Sequence, residues 1–241
     1  MTLPPPPGLG PRHALFLDFD GTLAGFRDDP DKVAMPETAL RAILQLSDCL
    51  GGALAIVSGR DIRDLSRRVP QTLWRAGGHG VSICAPGEEP PRALEPPPKM
   101  LCDAVEAAAA QFAGVWCEFK GPVIAVHYRQ APHAMQALGA LLQQAVAKAE
   151  GYRLQSGKLV FEAKPARANK GRAVDWLMEQ PLFSGRTPVM VGDDATDEDA
   201  FAVVIARGGF AVKVGEGETL ASYRLPSPGS VTDWLGDMTT T

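Results

Sequence analysis

The apolar run Ala14-Leu15-Phe16-Leu17 stops on two carboxylates, Asp18 and Asp20, followed at once by Gly21 and Thr22. A short apolar run bounded in this way predicts a buried strand. In i, i+2 spacing, both acids project from one side of its extended backbone. Two acids held together resist joint ionisation, so the pair is costly without a cation or a shared proton. Gly21 allows a sharp turn just beyond them. The layout suits a carboxylate nucleophile, a neighbouring acid/base and a metal. A surface turn or half of a calcium loop is the plainer alternative. A calcium loop needs further acids at set positions and a closing Glu; here Gly, Thr, Phe and Asp stand there, and the closing Glu is missing.

The chain has 241 residues, 45% of them hydrophobic, enough for one large domain or two small ones around a sizeable core. A net charge of −4 without a long basic run argues against nucleic acid as a partner. No apolar stretch reaches membrane-spanning length, and the N-terminus, Met1-Thr-Leu-Pro-Pro-Pro-Pro, lacks the charged-then-apolar pattern of a signal. The expectation is a soluble cytoplasmic monomer with no membrane or nucleic-acid partner. Cys49, Cys84, Cys102 and Cys117 form no C-x-x-C pair and read as reduced core or near-core residues.

Prolines divide the chain. Those at positions 4 to 7 and 11 mark residues 1–12 as a disordered tail, and those at 86, 90, 91, 96, 97 and 98 mark a linker over 85–98. Before the linker, strand and helix alternate: strand 13–18, helix 36–50, strand 53–57 and a short helix from Asp61 to Val69. The alternation resumes with helix 170–179, strand 187–191, helix 197–206 and strand 209–214. This predicts a parallel sheet covered by helices over 13–84 and 164–241. Residues 99–163 read differently, as helix, strand, strand, twice over: helices 99–113 and 132–149, strands 115–120, 122–129, 152–155 and 158–163. That order predicts an antiparallel sheet with helices on one face, inserted into the first domain.

Strand parity in the insert separates two faces. Trp116, Glu118 and Lys120 share one side of their strand, and Ala125, His127 and Arg129 one side of the next; Lys158 and Glu162 oppose Leu159 and Phe161. One face is apolar and the other carries hydrogen-bonding groups. An ordinary solvated face has the same pattern, but Trp116 beside carboxylates and cations suits a sugar.

Ser58-Gly59-Arg60 follows the second strand, where a hydroxyl and backbone amides can hold a phosphate or simply cap a helix. Lys170, after Asn169, can neutralise a phosphate oxygen as a point charge. Five of the seven residues from 193 to 199 are acidic, and a hard cation best offsets that repulsion. Asp197, Glu198 and Asp199 also fit the start of a helix. His79, in the turn Gly77-Gly78-His79-Gly80, either touches substrate or packs against its loop.

Taken in order, Asp18-x-Asp20-Gly-Thr-Leu, Ser58-Gly-Arg60, Lys170-Gly and Gly-Asp193-Asp194-x-Thr-Asp197 resemble the haloacid dehalogenase-like phosphatases. Asp29-Pro30, Pro36, the Gly-His79-Gly turn, Glu118-x-Lys120-Gly, His127-Tyr128-Arg129 and Asp-Glu-Asp-x-Phe narrow the resemblance to the trehalose-6-phosphate phosphatases, over about 13–235. Gly78 and the long proline-rich linker depart from that family's pattern. The resemblance implies a Rossmann-like α/β core with an inserted α+β cap, hinged near 85–98 and 163–166. It implies Asp18 as nucleophile and Asp20 as acid, then base. It implies Mg2+ on Asp18, the backbone carbonyl of Asp20 and Asp193, supported by Asp194 and Asp197. Phosphate would be bound by Ser58, Gly59 and Lys170, and the sugar by Arg60, His79, Glu118, Lys120, His127, Arg129 and Glu162. The implied reaction is hydrolysis of a small-molecule sugar phosphate, trehalose 6-phosphate, through an aspartyl-phosphate. A phosphatase for sucrose phosphate or mannosyl-3-phosphoglycerate, a phosphosugar mutase and an inactive sensor are the alternatives.

Overall fold

The computed structural model describes residues 3–27, 29–157 and 159–238. In chain order its strands are β1 (His13–Leu17), β2 (Leu54–Val57), β3 (Trp74–Gly77), β4 (Ser82–Cys84), β5 (Trp116–Lys120), β6 (Val123–His127), β7 (Tyr152–Gly157), β8 (Val160–Pro165), β9 (Thr187–Gly192), β10 (Phe210–Val214) and β11 (Tyr223–Leu225). Its α-helices are α1 (Glu37–Cys49), α2 (Ile62–Arg68), α3 (Lys99–Ala109), α4 (Met135–Ala147), α5 (Lys170–Met178), α6 (Glu198–Ala206) and α7 (Pro228–Asp237). The chain divides into two units, one from the N-terminal side to Pro90 plus Asn169 onward, the other Pro91–Ala168.

The first unit is built on a seven-stranded sheet in the order β11-β10-β9-β1-β2-β3-β4, parallel except for β3 against β4. Ala14 to Leu17 and Leu54 to Val57 are all fully buried, as strands covered on both faces must be. Three of its helices, α2, α5 and α7, start where a side chain satisfies a free amide. Asp61 accepts from Arg63 N, Asn169 from Arg172 N and Ser227 from Ser230 N. β1 has β2 on one side and β9 on the other, so the strand order turns about β1. At such a point the carboxyl ends of the strands open into a crevice, the usual ligand site of an open α/β sheet. Asp18, Ser58 and Asp193 each follow directly on one of these three strands.

The second unit is a four-stranded antiparallel sheet, β5-β6-β8-β7, with α3 and α4 packed on one face. Ile124, Val126, Phe161 and Ala163 join Leu101, Val105, Leu138 and Leu142 in its core. The fold class is the α/β core with α+β insert that the sequence predicts.

Differences from the sequence reading lie mainly at element ends and in short strands. β3, β4, β11 and α7 have no counterpart among the elements expected from sequence. β6 stops at His127, so Arg129 falls in an exposed turn rather than on the strand. Lys158, expected on β8, lies outside the described residues. Where a disordered tail is expected, residues 3–12 carry long-range hydrogen bonds. Arg224 N donates to Pro4 O at 3.0 Å and Trp234 Nε1 to Pro7 O at 3.2 Å. Cys49 is exposed at the end of α1 rather than near a core, and all four cysteines are free thiols.

Candidate active site

Asp18 is held at the end of β1 by its backbone amide, which donates to Val191 O of β9 at 3.0 Å. The next residues close a tight turn, with Gly21 N on Ala24 O at 2.7 Å and Ala24 N on Phe19 O at 2.9 Å. Gly21 has φ +80°, and a Cβ there would lie 2.2 Å from Asp193 Oδ2. Only glycine permits both the turn and that approach. Thr22, fully buried, donates its hydroxyl to Asp193 Oδ1 at 3.3 Å. The loops after β1 and β9 are thereby locked together.

Lys170, at the start of α5, is almost wholly buried and donates to Asp18 Oδ1 and Asp197 Oδ1, both at 2.7 Å. The other oxygen of Asp197 accepts from Asp193 N and Asp194 N, each at 3.0 Å. A fully buried Asp197 thus orders both the ammonium and the acidic loop. Asp194 accepts from Thr196 N at 2.5 Å and is exposed.

One ligand oxygen each from Asp18, Asp193 and Asp197 falls within a 4.8 Å cluster. The three acids cluster around the buried ammonium of Lys170, and for Asp18 and Asp193 this setting shifts the carboxyl. Burial pushes the Asp18 carboxyl well above the usual range, with Lys170 pulling it down and Asp197 and Asp193 adding to the rise. Burial, then Asp197 and Asp194, push Asp193 up to about 6. A cluster of hard oxygen donors with surplus negative charge fits a divalent cation. Asp197 is already satisfied by three donors, which leaves Asp18 and Asp193 as the carboxylates that fit one best.

Asp20 is bound by Arg60 through two parallel bonds, Nε to Oδ2 at 2.7 Å and Nη2 to Oδ1 at 2.6 Å. Arg60 also reaches Asp64 at 2.8 Å and lies over the Phe19 ring at 5.5 Å. Arg60, read from sequence as a sugar ligand, therefore points at Asp20. Ser58 is buried, and its Oγ accepts from Arg60 N at 3.1 Å. His79 is also buried. The structure thus brings Asp18, Asp193, Asp197 and Lys170 together, and joins Asp20 to Arg60.

In the second unit the pairings Trp116 with His127, Glu118 with Ala125, Ala125 with Glu162 and Glu162 with Gln155 set these residues across one face. His127 Nε2 lies 2.9 Å from Glu118 Oε2, and Lys120 Nζ 3.2 Å from the same oxygen. The Trp116 indole stacks on His127 with centroids 4.1 Å apart. Glu118, Lys120, His127 and Glu162 are brought onto this face; Arg129 follows in the exposed turn after β6.

Sequence reasoning missed Lys213 and Lys164. Lys213, buried on β10, donates to the backbone carbonyl of Asp193. A lone lysine in the apolar run Phe210-Ala-Val-Lys-Val was its signal. Lys164, also buried, lies one parity step beyond Glu162 on β8, so extending the alternation by two residues would have found it.

A family model described as trehalose-phosphatase matches residues 16–228. A trehalose-6-phosphate phosphatase of Escherichia coli is 39% identical over 238 residues, covering 97% of this chain and 89% of that protein. A probable trehalose-phosphate phosphatase of Sinorhizobium fredii is 41% identical over 206 residues, covering 84% and 77%. Among solved structures, trehalose-6-phosphate phosphatase of Aspergillus fumigatus superposes with a TM-score of 0.70 at 28% identity, covering 95% of this chain and 93% of that one. With a buried Asp18–Lys170–Asp197 centre at the end of β1 and kinship along nearly its full length, the chain belongs to the trehalose-phosphatase family.

Proposed function

We propose that the protein is a magnesium-dependent phosphatase that hydrolyses trehalose 6-phosphate to trehalose and phosphate. The observation that carries this reading is the buried ammonium of Lys170 shared by Asp18 and Asp197, set beside Asp193 in a chain of this family.

The Asp18 carboxylate attacks phosphorus, and an acyl-phosphate bond forms as the bond from phosphorus to the sugar oxygen breaks. Asp20 gives its proton to the departing sugar oxygen, then takes one from the water that attacks the phosphoryl group and frees Asp18. Arg60, with two bonds to Asp20, sets the orientation of that carboxyl. Lys170 and the Ser58–Gly59 loop hold phosphoryl oxygens, so most of the rate gain is positioning and charge neutralisation. Asp18, Asp193 and the backbone carbonyl of Asp20 would hold magnesium, which supplies positive charge to the phosphoryl oxygens and relieves the repulsion among the carboxylates. Glu118, Lys120, His127 and Glu162 hydrogen-bond the sugar hydroxyls.

Phosphate release is to be measured on a panel of trehalose, sucrose, glucose and mannosylglycerate phosphates, with magnesium and with chelator. The expected outcome is a clear preference for trehalose 6-phosphate, loss of turnover with chelator, recovery on adding magnesium, and no turnover by Asp18→Asn. Preference for another sugar phosphate would remove the substrate assignment, and full activity in chelator would remove the metal.

A further inference from the structure

We propose that His79 is a positioning residue that holds the Ser58–Gly59 loop in its phosphate-binding form, rather than a contact to the sugar. The inference rests on the reading that this loop binds the phosphoryl group.

Three consecutive residues of the turn have positive φ: Gly78 at 60°, His79 at 56° and Gly80 at 89°. For His79, a residue with a side chain, that conformation is uncommon and must be held by its surroundings. Its holders are on the neighbouring loop. Gly78 N donates to Arg60 O at 2.6 Å, and His79 N to Ser58 O at 2.9 Å. The peptide bonds are all trans among the described residues, and a trans peptide points its carbonyl and its next amide in opposite directions. Tying the Ser58 carbonyl to the turn therefore directs the Gly59 amide away from the turn. Tying the Arg60 carbonyl does the same for the amide of Asp61. The turn thus sets which way this loop presents its donors.

The imidazole completes the clamp. A Cβ on Gly59 would lie 2.8 Å from His79 Cε1 and 2.9 Å from Nε2. Gly59 is not among the positive-φ residues, so its backbone alone would accept alanine. What requires glycine at position 59 is the ring of His79 packed against it. His79 is 7% exposed, so the ring presents little surface to a sugar. A buried ring on one side of the loop and two backbone bonds along it leave little freedom for the amides to reorient. Fixed donors of this kind are how a site binds an anion without reorganising.

The test measures binding of inorganic phosphate by calorimetry in the presence of magnesium, together with inhibition by trehalose, for wild type, His79→Ala, Gly59→Ala and the double variant. His79→Ala is expected to weaken phosphate binding about tenfold, the scale of one hydrogen bond lost to a reoriented amide, with trehalose inhibition within about twofold of wild type. Gly59→Ala is expected to weaken phosphate binding more, because the new methyl meets the ring. The double variant should recover part of that loss, since the ring is gone. Weakened trehalose inhibition with unchanged phosphate binding would overturn the proposal in favour of a sugar contact. Strictly additive losses in the double variant, or a lowered melting temperature with phosphate binding intact, would overturn it too. If wild type binds phosphate but does not turn over trehalose 6-phosphate, the substrate reading fails and this proposal stands. If wild type turns over trehalose 6-phosphate but binds no phosphate, this proposal falls and the substrate reading stands.

Discussion

The carboxyl edge of the parallel sheet and the polar face of the antiparallel sheet are built in opposite ways. At the edge, Asp18 and Asp193 each sit one residue past a buried strand, and they bond to Lys170 and Thr22, which lie far away in sequence. Lys170 is 152 positions from Asp18, and Thr22 is 171 from Asp193. On the polar face the groups come from every second residue of adjacent strands, and Glu118, Lys120 and His127 bond within nine positions of one another. The edge groups are buried and costly to leave unpaired, whereas the face is partly open to water. If the edge runs the reaction and the face reads hydroxyls, as proposed above, damage to the two should look different.

Lys170→Met should show the larger effect. It leaves Asp18 and Asp197 buried without their cation, so stability is expected to fall by about 3–5 kcal/mol in urea unfolding. Turnover is expected to fall roughly 100-fold for any phosphomonoester, p-nitrophenyl phosphate included. Glu162→Gln should be gentler and selective. We expect KM for trehalose 6-phosphate to rise about tenfold through one lost hydrogen bond to a charged group. Turnover of p-nitrophenyl phosphate, which has no sugar, should hold. Equal loss on both substrates would break the division of labour between the two regions.

The smallest effect concerns a support of the edge rather than the edge itself. Burial raises the Asp64 carboxyl, but hydrogen bonds from Arg68 and Arg60 outweigh it and hold Asp64 below the usual range. A depressed folded-state value means stability that is fully present above the unfolded carboxyl pKa and is lost as pH falls through the folded value. Asp64→Asn is thus expected to cost about 1 kcal/mol at neutral pH. In unfolding curves taken at decreasing pH, the gap to wild type should close only in the acid range. A gap independent of pH would show that charge is not what Asp64 contributes.

Legibility in the sequence follows the same division. Asp18, Asp20, Ser58 and Asp193 stand out because they follow apolar runs at motif spacing, and Lys170 because it follows Asn169 at the start of a helix; these signals are local. Glu118, Lys120, His127 and Glu162 are readable because period-two alternation assigns every residue of a strand to a face. Arg129 was misplaced because parity does not say where a strand ends, and β6 ends at His127. β3, β4 and β11 were missed because three or four residues carry too little pattern to separate a strand from a loop.

By itself the sequence determined the class of fold, the inserted unit and the residue types at the strand ends, because strand and helix periods and glycine turns act over a few residues. Only the tertiary structure decided that Lys170 joins Asp18 to Asp197, that Arg60 turns to Asp20, that Lys213 supports the Asp193 carbonyl and that His79 packs on Gly59. Those pairings depend on which strand lies beside which, and strand order is settled by burial of the whole sheet. The opening pair, Asp18 and Asp20, shows the limit most plainly. Their spacing predicted a pair in need of a cation or a shared proton, but a lysine for one and an arginine for the other came only from the folded chain.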